Sequence, residues 1–317
     1  MRIGILIPTR GAVMLSARRP PVDECWQMAR HADAAGYDAV WVGDSVVAKP
    51  RLEPLTTLAY LAAMTTKVRL GTAVLLPALR QPVVLAHEIA NVDQISRGRV
   101  VLGLGVGWGL PSAAREWAAC GADHRRRARR LEEHVEIWRM LWRGEPVTHT
   151  APGVELVDHT IGPLPWTDAG PPVLITAGNR GEIIPAQLDR FARLGDGIIT
   201  TYLDDKECRL VREQAEAALA KHGRTLPDFP LCVYTTVRMH DDVRTAEREV
   251  TEFLAAYYGG GVHQRGLMGL GPADAVVTAL RRYADAGVTD LCLRFVGDDQ
   301  RGQLERFTEA VLPALRT

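Results

Sequence analysis

Arg2-Ile3-Gly4-Ile5-Leu6-Ile7-Pro8-Thr9-Arg10-Gly11 is the stretch at which two architectures part. It is apolar without interruption from Ile3 to Ile7. That suits a parallel strand covered on both faces, whereas a half-exposed strand alternates. A doubly wound dinucleotide fold follows its first strand with a glycine-rich phosphate turn, and Pro8-Thr9-Arg10-Gly11 is no such turn.

Working outward from Arg2–Ile7, similar runs recur at Ala39–Val42, Val68–Val74, Val100–Leu104, Val173–Thr176, Gly197–Thr201, Leu231–Val237 and Leu291–Phe295. Segments of helical period lie between them, at Val22–Ala35, Leu55–Thr65, Pro82–Ser96, Arg126–Trp142, Ile183–Leu194, Cys208–His222, Val243–Tyr258 and Pro272–Ala286, with a last one at Leu304–Leu315. Eight strands alternating with helices predict an α/β fold of the (β/α)8 TIM-barrel type. No repeat, low-complexity tract or linker divides residues 1–317. Gly and Pro gather in Gly144–Pro172 and Gly259–Gly271, predicting extended connections after strands 4 and 7 that serve as lids or substrate walls.

Composition narrows the function classes. The 317 residues carry 38 basic and 38 acidic side chains. A balanced chain is a poor general binder of nucleic acid or membrane surface, both of which favour a basic excess. Cys25, Cys120, Cys208, Cys232 and Cys292 are odd in number and far apart, which argues against a disulfide framework or zinc site and predicts reduced thiols. The N-terminal apolar run is too short for a signal segment, and no 18-residue apolar span follows, so the expected location is cytoplasmic.

Barrel sites form at the C-terminal ends of strands. The segments there are Gly43-Asp44-Ser45, Leu75-Leu76-Pro77, Gly103 to Gly109, Thr176-Ala177-Gly178-Asn179-Arg180, Thr200-Thr201-Tyr202 and Leu293-Arg294-Phe295. They are rich in glycine, hydroxyl and amide groups and poor in acid–base groups. Glycines let a backbone approach a flat or phosphorylated ligand. Paired carboxylates, an HExxH helix and a GxSxG elbow are missing from these strand ends, so a bound cofactor is expected to carry the chemistry. Gly103-Leu104-Gly105-Val106-Gly107-Trp108-Gly109 fails the G-x-G-x-x-G spacing and reads more readily as strand-end turning than as a phosphate cradle. The arginines at 125–127 and 129–130 read as an anion site or as a solvated helix start. His31 and His87 fall inside helices and read as structural, whereas His263, beside Gly259-Gly260-Gly261, is a candidate substrate contact.

These segments carry a resemblance. Gly36-Tyr37-Asp38-Ala39-Val40-Trp41-Val42-Gly43-Asp44, Val68-Arg69-Leu70-Gly71-Thr72-Ala73-Val74, Gln81-Pro82 through Ser96-Arg97-Gly98-Arg99-Val100, Gly103 through Trp108, Ala192-Arg193-Leu194-Gly195-Asp196-Gly197 and Asp285-Ala286-Gly287-Val288-Thr289-Asp290-Leu291 stand in the family's order along nearly the whole chain. The chain resembles the luciferase-like monooxygenase superfamily, and most closely its short members, the coenzyme F420 (deazaflavin)-dependent oxidoreductases.

The resemblance implies one luciferase-like barrel domain over residues 1–317, with the cofactor ring over strand 3 against a bulge and a non-prolyl cis peptide at Ala73-Val74. It places Asp44 and Ser45 near the ring, Gly107 and Trp108 beside it, and Ala177, Gly178, Asn179 and Thr201 at the cofactor phosphate. On this reading Asp44, Ser45 and Trp108 are the catalytic candidates, Trp108, His263 and Arg265 the substrate contacts, and no metal is involved. Many relatives have a histidine where Ser45 stands. Sugar-phosphate-oxidising relatives carry a glutamate where Trp108 stands, which argues against that reaction here.

The leading expectation is hydride transfer between F420 and a small organic substrate. The alternative is a two-component monooxygenase using reduced FMN and oxygen. Arg125 to Arg130 would help hold a polyglutamylated deazaflavin tail. A homodimer, and a separate flavin or F420 reductase as partner, complete the expectation. The variable loops add Trp166, Tyr257, Tyr258, His263, Arg265 and Met268 as candidate walls of an aromatic pocket.

Overall fold

The computed structural model describes residues 1–107, 111–179, 182–258 and 266–316. Eight parallel strands form its centre: β1 (Arg2–Leu6), β2 (Ala39–Val42), β3 (Arg69–Leu75), β4 (Val100–Leu104), β5 (Val173–Asn179), β6 (Gly197–Thr201), β7 (Leu231–Met239) and β8 (Asp290–Phe295). Each pairs with its neighbours in chain order, and β8 closes onto β1 through Arg2↔Asp290 to Ile5↔Leu293, so the sheet is a closed (β/α)8 barrel. All eight predicted strands are present, with ends shifted by up to three residues. A short strand, Gly269–Gly271, adds to the outer edge of β7.

Two apolar layers account for the strand composition. The outer faces of the strands and the inner faces of the helices make the main core, which includes Ile3, Ile5, Val40, Leu70, Leu102, Ile175, Ile198, Val233 and Leu291. Inside the barrel Leu6, Ala39, Trp41, Val101, Leu174, Ile199, Cys232 and Cys292 pack together. A strand buried on both faces needs apolar residues at successive positions, which is why these runs do not alternate. Trp41 is the largest interior side chain and dictates a glycine: a Cβ on Gly71 would meet its ring at 2.1 Å. The N-terminal end of the barrel is closed by charge instead. Asp290 accepts from Arg2 Nε and Nη2 at 2.8 and 2.7 Å and from Arg69 Nη2 at 2.6 Å. The cysteines are free, and four of them are buried.

Three elements depart from expectation. A helix, Thr9–Leu15, follows β1 directly, and another, Pro111–Ala119, follows β4. The connection 144–172 contains an antiparallel hairpin, Val147–Ala151 with Val154–His159. This connection is no wall of the candidate site. It follows the return helix Arg127–Leu141 and so lies at the N-terminal end of the barrel. There the Trp166 amide donates to Asp93 at 2.9 Å, and the Trp166 ring lies against Gly98, just before β4. Trp166 is thereby removed from the pocket candidates. No helix among the described residues is long and apolar enough to cross a membrane.

Candidate active site

The C-terminal ends of the strands surround a cavity of about 270 Å³. That is near the lower bound of roughly 300 Å³ usual for small-molecule pockets. Its floor is the top layer of the barrel interior, with Leu6, Ala73, Val74, Ile199 and Tyr234 facing it. The Ala73–Val74 bond is cis, and the β3–β4 register shifts between Ala73 and Leu75, so the strand bulges where the resemblance implies. Gly105 lies against this bulge, since a Cβ there would meet Val74 Cγ2 at 2.5 Å.

Two carboxylates face the cavity, and both are committed. Asp44 follows β2, and its side chain is 1% exposed. Arg80 grips it through both guanidinium nitrogens at 2.6 and 3.1 Å, and the Leu76 amide donates to it at 2.9 Å. It therefore ties the end of β2 to the segment after β3. Glu116, on the helix after β4, accepts four bonds at one oxygen. These come from Ser45 Oγ at 2.7 Å and from the amides of Val46, Val47 and Ala48 at 2.6, 2.8 and 3.2 Å. Burial pushes the Glu116 carboxyl up, but the Ser45 hydroxyl and these amides outweigh it and hold the group below its ordinary range. Ser45 in turn accepts the Lys49 amide at 2.9 Å, so Glu116 moulds the loop 45–49 into a turn at the cavity rim.

The opposite wall is phenolic and cationic. Tyr202, Tyr234, Tyr257 and Tyr258 line it, and Arg294 of β8 stands behind them. The Arg294 side chain is buried and pairs with no carboxylate among the described residues. It donates to Tyr258 Oη at 2.9 Å and to Thr236 Oγ1 at 2.7 Å, and its Nε has no partner. Its guanidinium carbon lies 5.1 Å from the Tyr234 ring centroid and 5.7 Å from those of Tyr257 and Tyr258. Arg10 stacks on Tyr257 at 4.2 Å, and Lys49 Nζ sits 4.4 Å from the Tyr258 centroid. Burial pushes the Tyr258 phenol up, but the Arg294 charge, the neighbouring Tyr202 hydroxyl, the Arg294 hydrogen bond and the Lys49 charge together bring it down to about 8. Burial, helped by the phenols of Tyr258, Tyr257 and Tyr202 and only partly offset by the Arg294 charge, moves its neighbour Tyr234 the other way, well above the ordinary phenol range.

Of the residues singled out in the sequence, Asp44, Ser45, Ala73, Val74, Gly107, Gly178 and Thr201 all line this one cavity. Ala177 lies in the main core instead. The Asn179 backbone pairs with Thr201 across β5 and β6. The Gly178 amide donates to Gln187 at 3.1 Å, and Thr201 Oγ1 donates to the Tyr234 carbonyl at 3.2 Å. Trp108, His263 and Arg265 lie outside the described residues. Arg126, just before the helix Arg127–Leu141, pairs with Glu133, and Arg129 within it pairs with Glu132 and Glu133. Sequence reasoning missed Glu116, Arg80, Arg10 and the Tyr258–Arg294 pair. The one visible signal was Arg294, a charge inside the apolar run Leu291-Cys292-Leu293-Arg294-Phe295. Among the described residues no cluster of His, Cys, Asp or Glu is arranged to hold a metal.

The features present fit an anionic, flat cofactor. The floor is apolar, hydroxyls of Thr176, Thr200 and Thr201 rim it, and the cations Lys49 and Arg51 line it.

Comparison with known proteins agrees with this geometry. Residues 1–301 match the family model described as luciferase-like monooxygenase. The chain is 30% identical over 324 residues to the F420-dependent glucose-6-phosphate dehydrogenase of Amycolatopsis mediterranei, covering 92% of this chain and 93% of that one. Among solved structures, monooxygenase RslO1 from Streptomyces bottropensis superposes with a TM-score of 0.83 at 23% identity over 99% of both chains. An F420-dependent secondary alcohol dehydrogenase in complex with an F420-acetone adduct superposes with a TM-score of 0.81 at 20% identity, over 100% of this chain and 99% of the other.

Proposed function

The chain belongs to the luciferase-like monooxygenase family, and from that premise we propose that it is an oxidoreductase transferring a hydride between coenzyme F420 and a small organic substrate in the cavity at the C-terminal ends of the strands. One observation carries the reading. Both carboxylates of the cavity are engaged in holding its walls, Asp44 by Arg80 and Glu116 by the loop 45–49, and neither type of group carries a hydride, which leaves the redox chemistry to a bound group. The 30% identity to an F420-dependent dehydrogenase over more than nine-tenths of both chains favours the deazaflavin as that group. When bound, F420 supplies or accepts a hydride.

The residues of this chain bind and orient. Ala73 and Val74 form the apolar support for the ring, with Asp44, Ser45 and Gly107 at its border. Gly178 and Thr201, with the backbone of Ala177 and Asn179, stand where the resemblance puts the phosphate. Asp44 acts in this proposal by fixing the β2 and β3 ends, because it accepts from two Arg80 nitrogens and from the Leu76 amide. A sugar phosphate is not the proposed substrate, since Trp108 stands at the position of the glutamate in sugar-phosphate-oxidising relatives. A homodimer and a separate reductase that renews the cofactor belong to the proposal on the resemblance alone.

Anaerobic turnover tests the reading. Reduced F420 is mixed with a panel of ketones, enones and imines, and oxidised F420 with secondary alcohols. In parallel, oxygen uptake is followed with reduced FMN. F420 turnover without oxygen is the expected result. Oxygen uptake coupled to product from reduced FMN, with no F420 turnover, replaces the proposal with the monooxygenase reaction.

A further inference from the structure

We propose that Tyr258 is the acid–base group of the cavity, giving or taking the proton at a substrate oxygen or nitrogen, and that Arg294 behind it is a positioning residue that stabilises its phenolate. This rests on the hydride-transfer reading above and deepens it, because it supplies the proton half of a reaction for which the carboxylates are already spent.

Tyr258 is half-buried at the end of the helix Val243–Tyr258, and it lines the main cavity, whereas Arg294 does not. The guanidinium touches Tyr258 Oη from the protein side at 2.9 Å, on the terminal nitrogen Nη1. Its other terminal nitrogen is held by Thr236 at 2.7 Å, which fixes its direction. A buried guanidinium with no carboxylate partner among the described residues is costly unless an anion forms beside it. The nearest group able to become one is the Tyr258 phenol.

The charged and titratable groups around that phenol come from every neighbouring element. They are Arg10 from the helix Thr9–Leu15, Lys49 from the loop after β2, Tyr202 after β6, Tyr234 in β7, Tyr257 on the same helix and Arg294 in β8. Three of the six are cations and none is a carboxylate. Against an ordinary value of 10.0, the phenol is lowered to about 8, within reach of working pH for either half of a proton transfer.

For reduction of a carbonyl, the Tyr258 O–H bond breaks as an O–H bond forms at the substrate oxygen, and the carbonyl π bond opens as its carbon takes the hydride. The electron pair of the broken O–H bond stays on Tyr258 Oη, facing Arg294, and water returns the proton. Oxidation of an alcohol runs the same step backwards and needs the phenolate. The protonated form is present below about 8, so carbonyl reduction falls as pH rises through that value, whereas alcohol oxidation rises.

A spectroscopic titration tests the assignment without substrate. Tyrosinate absorbance of the full chain, followed as pH is raised, is expected to show one ionisation near 8 that vanishes in Tyr258→Phe. It should move toward 10.0 in Arg294→Met. Lys49→Gln, at the rim, should move it the same way by less, and serves if the Arg294 variant does not fold. Ionisation that begins only near 10.0, or a step near 8 that survives Tyr258→Phe, overturns the proposal. On the carbonyl panel, Tyr258→Phe is expected to lower kcat about 100-fold, with F420 affinity within about threefold of the parent. A kcat within about threefold overturns the catalytic role even if the phenol titrates as expected. A protein that takes FMN rather than F420 defeats the hydride-transfer reading and leaves the titration result standing, so the two failures are distinguishable.

Discussion

Replacing Glu116 tests how the cavity rim is built. Four donors converge on its one oxygen: Ser45 Oγ and the amides of Val46, Val47 and Ala48, at 2.6 to 3.2 Å. Hydrogen bonds to a charged group are worth roughly 1.5–3 kcal/mol each, and bonds sharing one acceptor are far from additive. The loop borders the cavity, so water recovers part of what is lost. Glu116→Ala is therefore expected to cost about 3 kcal/mol. At about 2 °C per kcal/mol, the low end for large domains, Tm falls by about 6 °C. Glu116→Gln keeps an acceptor in place but makes the bonds neutral, which halves their strength and gives about 3 °C. The carboxyl lies below its ordinary value of 4.5, so its contribution is complete above that value and is lost as pH falls through the lower folded one. The gap between parent and Glu116→Gln should accordingly be wide at neutral pH and close under acid. Thermal unfolding followed by circular dichroism at neutral and acid pH gives both numbers. If both variants melt within about 1 °C of the parent at neutral pH, the convergence of donors on Glu116 does not hold the rim, and the reasoning fails.

Other consequences are as direct. Arg80→Met strands the Asp44 carboxylate, whose side chain is 1% exposed, and should cost about 3–5 kcal/mol in a urea titration; a loss under about 1 kcal/mol means the pair is not coupled. Gly71→Ala drives a methyl into the Trp41 ring, a 2.1 Å approach, and should destabilise by about 3 kcal/mol or more, with Trp41→Leu in the same chain recovering part of the loss in Tm. Burial pushes the Asp290 carboxyl up, but Arg2, Thr289 and Arg69 outweigh it and hold it below 3.8. Its stabilisation is therefore present above 3.8 and fades as pH falls through the folded value, so Asp290→Asn should weaken the protein at neutral pH and converge with the parent under acid, as read by urea midpoints at the two pH values.

The barrel was legible because parallel strands wrapped by helices must be apolar on both faces, and Arg2–Ile7, Val100–Leu104 and Leu291–Phe295 carry that requirement in their letters. Asp44, Ser45, Gly107 and Thr201 were legible for a related reason, since strand ends locate the site in any such barrel, whereas Ala73 and Val74 were legible through the family resemblance. The helix Thr9–Leu15 is a seven-residue element opening after Pro8 with Gly11 inside it, too short for a periodic signal. The hairpin Val147–Ala151/Val154–His159 had its turn in Pro152-Gly153, yet lay in a stretch that composition marked as a loop. Glu116 and the pairing of Tyr258 with Arg294 were not legible, because that chemistry comes from partners distant in sequence. Glu116 reaches Ser45 across 71 residues and Tyr258 meets Arg294 across 36, and only closure of the barrel brings them together.

Equilibrium binding of the purified protein to F420 and FMN in parallel, at matched salt and in both redox states, tests the central claim most directly. Tight binding of F420 and weak binding of FMN are expected, with Thr201→Val weakening F420 through the cavity rim. Preferential binding of reduced FMN, or binding of neither, would contradict it.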